Sequence, residues 1–225
     1  MVGLLENIRK PIVDRPFGNK VLNTFMTFVI GIILGLISRI LDYVDLEYIN
    51  EIFVYFDFGA FFSRMSIWLL FALIISIISK TPLRAIINVF VFFIGMLLSY
   101  YSATYFIEGF VFLKVIIYWL LLAFISPIPA VLCWYAKGEG KIATLLSTII
   151  LSVFFVMAFS FGFDYFYFRF NGMEAINWLL AMLVLYNNPK QSFKVLLYSL
   201  VLSTVARFIY VYFFRALLQW GFMKL

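Results

Sequence analysis

The sequence predicts an all-α protein, a polytopic transmembrane bundle of about seven helices, and three observations support this prediction. Hydrophobic residues make up 65% of the 225 residues, whereas charged residues make up only 12%. A soluble domain has about 25% charged residues, so this chain lacks the polar surface that water requires. The mean hydropathy is +1.07, and the apolar residues occur in long runs between short charged tracts.

Seven apolar runs are candidate spans, because a helix needs about 20 residues to cross the hydrocarbon core of a bilayer. In chain order the runs are Val21–Leu41, Met65–Ser79, Leu83–Tyr105, Val111–Tyr135, Ile142–Phe163, Ala175–Tyr186 and Val195–Leu218. The sixth run is short, so an alternative with six spans and a re-entrant or broken sixth segment stays open. Since no linker or repeat divides the chain, we expect a single domain over residues 1–225.

Lys and Arg divide unequally between the two sides that seven crossings create. Ten lie on the side of the N-terminus, five lie on the opposite side, and Arg39 and Arg207 lie within or beside runs. Because loops rich in Lys and Arg remain in the cytoplasm, the N-terminal segment 1–20 is expected there and the C-terminus outside. If the sixth run does not cross, the C-terminus moves inside.

The predicted external loop 42–63 alternates acidic and aromatic residues. Leu46, Ile49, Phe53 and Phe56 recur at the spacing of one helical face, which predicts an amphipathic helix on the outer membrane surface. Two interpretations stay open. The loop is either an aromatic belt that closes the outer end of the bundle or an acidic vestibule that attracts cations or a cationic partner.

Arg207 is the charged residue closest to the middle of a span, where an unpaired charge costs about 2.5–3.5 kcal/mol. Ser199 and Ser203 precede it at four-residue intervals and so share its helix face. In one interpretation, the Arg207 guanidinium binds a carboxylate or phosphate in a cavity. In the other it is structural, and it bonds backbone carbonyls or an acid such as Asp164 or Glu174.

Polar or helix-breaking residues also occur inside two other runs. Ser126, Pro127 and Pro129 lie in the fourth run, where the prolines remove backbone donors and should kink or break the helix. Such breaks form ligand sites in some transporters, although a plain kink is the alternative. Asn88, early in the third run, is expected either to hydrogen-bond a neighbouring helix or to contact a ligand.

The first run carries two further signals near its end. Gly31 and Gly35 form a small-residue face of the kind that lets two helices approach closely. Arg39 and Asp42 are three residues apart, so we expect a local ion pair at the outer interface.

Several function classes lack their characteristic residues. Histidine is absent, the one cysteine (Cys133) lies in an apolar run, and no metalloprotease, P-loop or serine-hydrolase motif occurs. We therefore expect no enzyme activity, no cofactor and no metal. The net charge of +6 comes from loops between spans, so it indicates membrane topology and no nucleic-acid partner.

One set of residues carries a family resemblance: Trp68–Ala72, Ser79, Arg84, Ala85 and Tyr100–Tyr101, with Gly31, Gly35, Ser38 and Asp42 upstream. With this pattern the chain resembles a bacterial family of small polytopic membrane proteins that has no established activity. The resemblance implies the bacterial cytoplasmic membrane and supplies no functional residues. In size and number of spans the chain is also similar to the substrate-capture subunits of energy-coupling-factor transporters, without a shared motif.

These patterns predict a non-catalytic transport or solute- or lipid-binding component without its own energy source. It would lie in the lipid bilayer, act with another membrane subunit or an ATPase, and bind an anionic small molecule or lipid headgroup. The predicted ligand-binding residues are Arg207, Ser203, Ser199, Asn88, Ser126, Pro127 and Pro129. The alternative is an interaction protein, such as an assembly factor, an immunity protein or an accessory subunit.

Overall fold

A computed structural model describes residues 8–12, 17–43, 51–162 and 164–210, and this part of the chain is nearly all α-helical. The α-helices are α1 (Phe17–Tyr43), α2 (Glu51–Phe56), α3 (Phe58–Ser63), α4 (Met65–Ile78), α5 (Pro82–Glu108), α6 (Leu113–Ile125), α7 (Pro127–Ala136), α8 (Gly140–Ala158), α9 (Met173–Leu185) and α10 (Pro189–Ile209). Between α8 and α9, the strands β1 (Phe159–Phe161) and β2 (Phe166–Phe168) pair antiparallel, and a 3₁₀ turn (Phe170–Gly172) follows. The predicted α-helical class is confirmed for these residues.

Four of the described helices, α1, α5, α8 and α10, are long and apolar enough to cross a membrane. The pair α6 and α7 passes the same test together, with a bend of 41°, which brings the total to five. Helices α4 and α9 are apolar but have only 14 and 13 residues. At 1.5 Å per residue they are about 20 Å long, shorter than the roughly 30 Å hydrocarbon core. The predicted count of seven spans is therefore not confirmed.

The helices run back and forth between two ends of the molecule. At one end, called here the basic end, hydrogen bonds join residues 8–12, 79–81, 137–139 and 186–188. At the other, called here the acidic end, ion pairs and hydrogen bonds join residues 39–42, 57–64, 108 and 174. Consecutive long elements thus begin and end at opposite ends.

The segment 8–12 ties α4 and α7 together at the basic end. The Arg9 guanidinium donates to the carbonyl oxygens of Ile77 (2.8 Å) and Trp134 (2.9 Å), and it lies 4.5 Å from the Trp134 ring centroid. Ile8 is buried, and its carbonyl accepts the Glu139 N–H at 2.9 Å. Carbonyls near the C-termini of α4 and α7 thereby gain a cationic partner. A cation at this position stabilises a helix, because the C-terminus carries a partial negative charge.

Glycines set the close packing of α1 on α5. A Cβ atom added at Gly31 would clash with the Phe92 carbonyl oxygen, and one added at Gly35 would clash with the Met96 carbonyl oxygen. The predicted small-residue face is confirmed. The central helix α4 packs against α5, α7 and α9, and its residues Trp68, Leu70 and Leu73 are among the most buried.

Two predictions for the acidic end are corrected. The helix of the fifth run ends at Ala158, because the next three residues form β1 instead. In the loop 42–63, the described residues form two short helices separated by Asp57, whose φ of 48° breaks the helix. The predicted amphipathic helix is helical in its described part, Glu51–Phe56, and ends before Asp57, while Leu46 and Ile49 lie outside the described residues.

The predicted ion pair between Arg39 and Asp42 is also wrong. Arg39 pairs with Glu108 at the end of α5. Asp42 instead accepts hydrogen bonds from Ser63 (2.6 Å) and Tyr100 (2.8 Å). Both residues turn toward the neighbouring elements, since α1 packs along the whole length of α5.

Candidate functional site

A cleft of about 850 Å³ lies between α1, α4 and α5 at the basic end, and we call it the basic cleft. Its walls are mainly apolar: Met26, Ile30, Phe71, Ile74, Ile75, Ile78, Leu83 and Ile87. Its polar residues are Lys20, Asn23, Thr27, Ser79, Lys80, Thr81, Arg84 and Asn88. The cleft therefore combines an apolar body with three cations.

The turn between α4 and α5 positions the polar part of the basic cleft. The Thr81 hydroxyl accepts the Arg84 backbone N–H at 3.2 Å, and Pro82 follows at the first helical position, a favourable start for a helix. Helix α5 thus begins at the cleft. The first turn of a helix leaves N–H groups without intrahelical partners and carries a partial positive charge, which adds to the charge of the lysines.

Asn88 belongs to a hydrogen-bond network that forms the floor of the basic cleft. The Thr24 hydroxyl donates to the Asn88 side-chain oxygen (2.9 Å), and the Asn88 amide donates to the Ser79 hydroxyl (3.1 Å). Arg84 donates to the Thr24 hydroxyl and to the Lys20 carbonyl. Three helical segments are joined this way, which confirms the interhelical role predicted for Asn88 and fixes the Arg84 guanidinium at the cleft.

The electrostatic balance of the basic cleft is strongly positive. Lys20 and Lys80 are half-buried, and neither is paired with a carboxylate of the residues that the structure describes. Among those residues, Glu139 is the acid that lies in a loop of the basic end. It is exposed and does not line the cleft. A cationic pocket with apolar walls suits a ligand that has an anionic group and a hydrocarbon part.

Ser199 and Ser203 lie in dry packing between α10 and α8. Both side chains are fully buried. The Ser203 hydroxyl donates to the carbonyls of Ser199 (2.6 Å) and Ser152 (3.3 Å), while the Ser152 hydroxyl reaches the Ser199 carbonyl at 3.2 Å. Small hydroxyl residues allow such close contact between helices. Ligand binding by these two serines stays a prediction.

Arg207 lies one turn further along α10, beside the β1 strand. Its guanidinium is 3.4 Å from the Phe161 carbonyl oxygen and 3.4 Å from the Ser160 hydroxyl. A backbone carbonyl is one of the two kinds of structural partner that the sequence predicted. Glu174, one of the acids considered for it, pairs with Arg64 instead.

Helices α6 and α7 meet at Ser126, so the predicted proline break is present. Pro127 occupies the first position of α7, and the Ser126 hydroxyl donates to the freed carbonyl of Ala123 at 2.7 Å. Ser126 is buried, whereas Pro129 is exposed. The Ala123 carbonyl, which Pro127 leaves without a backbone donor, is therefore satisfied locally.

Sequence reasoning missed a buried polar cluster at the acidic end. Glu174 is 2% exposed, and its carboxylate accepts hydrogen bonds from Arg64 Nε (2.8 Å), Ser66 and Asn177. The only sequence signal was the spacing of Glu174 and Asn177 on one helix face, which does not identify partners more than 100 residues away. With its charge matched and its oxygens bonded, this cluster joins the starts of α4 and α9.

Of the predicted site residues, Asn88 alone is among the described residues that line the basic cleft. Arg207, Ser199 and Ser203 lie on α10 against α8 and β1, and the proline break lies in the α6–α7 pair. The structure therefore places the predicted residues in three separate regions. Searches against protein-family models, curated proteins and solved structures found no match for this chain.

Proposed function

We propose that this chain is a non-catalytic integral membrane protein that binds an anionic amphiphile, such as an anionic lipid, in the basic cleft. The amphiphile's charged group lies at Lys20, Lys80 and Arg84, and its hydrocarbon part lies along the apolar walls. The proposed component has no energy source of its own. It would therefore present a lipid or lipid-like solute to another membrane subunit or an ATPase.

One observation carries the proposal. Three cationic side chains line the same cleft as the apolar residues of α1 and α4. Isolated lysines at a membrane surface attract anionic lipids by about 1 kcal/mol each. In the basic cleft the two lysines line the same cavity as a guanidinium that hydrogen bonds hold in place, together with the apolar walls. The charged group and the chain of one amphiphile can therefore bind together.

The proposed topology has seven traverses, with the N-terminus and the basic end in the cytoplasm. The alternation of helix ends supports it, since α4 and α9 each connect the two ends despite their short length. The concentration of Lys and Arg at the basic end also supports it. In this orientation the basic cleft faces the inner leaflet, where anionic headgroups would be available.

Native mass spectrometry of the full chain, extracted in a mild non-ionic detergent, tests the binding. We compare the wild type with Lys20→Gln/Lys80→Gln and with the control Lys190→Gln/Lys194→Gln. The control removes the same charge from exposed residues at the same end that do not line the cleft. With phosphatidylglycerol added, we expect adducts to fall about tenfold or more in the cleft variant, and to change less than about twofold in the control.

The alternative function, an interaction protein, predicts a different result. Equal adduct loss in both variants would mean that charge at the basic end attracts lipid without a specific cleft. Unchanged adducts in both would also contradict the proposal. Co-purification of one stoichiometric protein partner in either case would favour the interaction protein.

A further inference from the structure

A second cavity lies at the acidic end, and it differs from the basic cleft in its size, its charge and its aromatic content. Its volume is about 80 Å³, and it lies where α1, α3, α4, α5 and α6 meet. Half of its ten lining residues are aromatic: Phe62, Trp68, Tyr100, Tyr101 and Trp119. We call it the aromatic pocket. Among the described residues of its lining, Asp42 is the only charged one, and none is a lysine or an arginine.

Asp42 is exposed, and its carboxylate accepts two hydrogen bonds from hydroxyl groups. One carboxylate oxygen accepts from Ser63 and the other from Tyr100. Neutral hydroxyl donors do not cancel its charge. Arg39, the closest arginine in the chain, is paired with Glu108, and its guanidinium carbon lies 5.9 Å from the Tyr100 ring centroid. The pocket thus offers aromatic rings beside one carboxylate that neutral hydroxyl donors leave charged.

These features favour one class of cation. A primary ammonium needs hydrogen-bond acceptors when it leaves water, whereas a methylated ammonium needs none and is attracted to aromatic rings and to a nearby negative charge. A volume of about 80 Å³ equals the share of two to three water molecules, which is the scale of a small methylated ammonium group.

We propose that the aromatic pocket binds a quaternary ammonium group, with Asp42 supplying the opposite charge and Trp68, Trp119 and Tyr101 contacting its methyl groups. The group comes either from a free solute such as choline or from a choline lipid headgroup. This site is independent of the basic cleft, and its ligand has the opposite charge.

Isothermal titration of the full chain in maltoside detergent tests the proposal, with tetramethylammonium, choline and methylammonium chlorides as probes at matched ionic strength. We expect saturable binding of the first two, and binding of methylammonium at least about tenfold weaker. Asp42→Asn keeps the size of the side chain and removes its charge, so it should weaken binding about tenfold or more. The matched control is Glu51→Gln, an exposed acid at the same end that does not line the pocket.

Trp119→Leu provides a second variant if Asp42→Asn does not fold, and it should weaken binding similarly. Absence of saturable binding in the wild type would overturn the proposal. So would equal affinity for methylammonium, or equal losses in Asp42→Asn and Glu51→Gln. A parallel titration in nanodiscs distinguishes the two sources, because a choline-lipid ligand predicts that phosphatidylcholine, unlike phosphatidylglycerol, blocks tetramethylammonium binding.

Discussion

At the scale of single residues, the polar side chains that matter most are those whose partners lie far away in the chain. Arg64 and Glu174 are 110 residues apart, yet their side chains are only 17% and 2% exposed. A buried charge without its partner is strongly destabilising, whereas the pair itself contributes little net stability. The pair therefore specifies how the starts of α4 and α9 are arranged.

Removing one member of this pair should cost more than removing both. We expect Arg64→Met to lower the free energy of unfolding by about 3–5 kcal/mol, because Glu174 is left buried and unpaired. The double variant Arg64→Met/Glu174→Gln should recover part of this loss. Thermal unfolding in detergent measures the cycle, and a double variant less stable than Arg64→Met would contradict the account.

Sequence patterns identified the polar residues that lie in apolar surroundings. They seldom identified the residues to which these side chains bond. Asn88 was correctly predicted to join helices, because an amide inside an apolar run must find a bond partner. Arg39 was assigned to Asp42 by spacing alone, yet Glu108 on α5 pairs with it. Lys20, Lys80 and Arg84 were assigned only to topology, because the cleft that brings them together depends on how α1 and α4 flank α5.

At the scale of elements, apolar runs predicted the helices well and their ends less well. Each of the seven runs contains a helix, and the prolines at 127 and 129 correctly indicated the break between α6 and α7. The aromatic residues after Ala158 continue the apolar run of α8, so hydropathy alone could not reveal that they form a strand. Helices α4 and α9 have only 14 and 13 residues, which is why the predicted count of seven spans is not confirmed.

The crossing of α1 on α5 should be sensitive to a single methyl group. Gly31→Ala places a Cβ against the Phe92 carbonyl, a contact that only backbone movement can relieve. We expect a loss of about 1–3 kcal/mol in unfolding free energy. Gly18→Ala, in the same helix with no atom within 4 Å of its Cβ position, should be neutral or stabilising. Equal effects of the two substitutions on the melting temperature would contradict this packing.

At the scale of the whole molecule, the two ends differ in charge and in the kind of cavity they form. The proposed topology predicts that Asp164→Cys reacts with a membrane-impermeant maleimide on intact bacterial cells. Lys141→Cys should react only after permeabilisation. Both positions are exposed, and both variants carry Cys133→Ala to remove the native thiol. Labelling of Lys141→Cys on intact cells would reverse the proposed orientation.

Photocrosslinking is the measurement that tests the central claim most directly, namely that the basic cleft holds an anionic amphiphile. Benzoylphenylalanine replaces Ile75, which lines the basic cleft, or Ile149, an exposed apolar residue of α8 outside it. In vesicles that mix phosphatidylglycerol with phosphatidylethanolamine, we expect the probe at position 75 to capture phosphatidylglycerol above its share of the bilayer. The probe at position 149 should capture lipids in proportion. Proportional capture at both positions would contradict the claim.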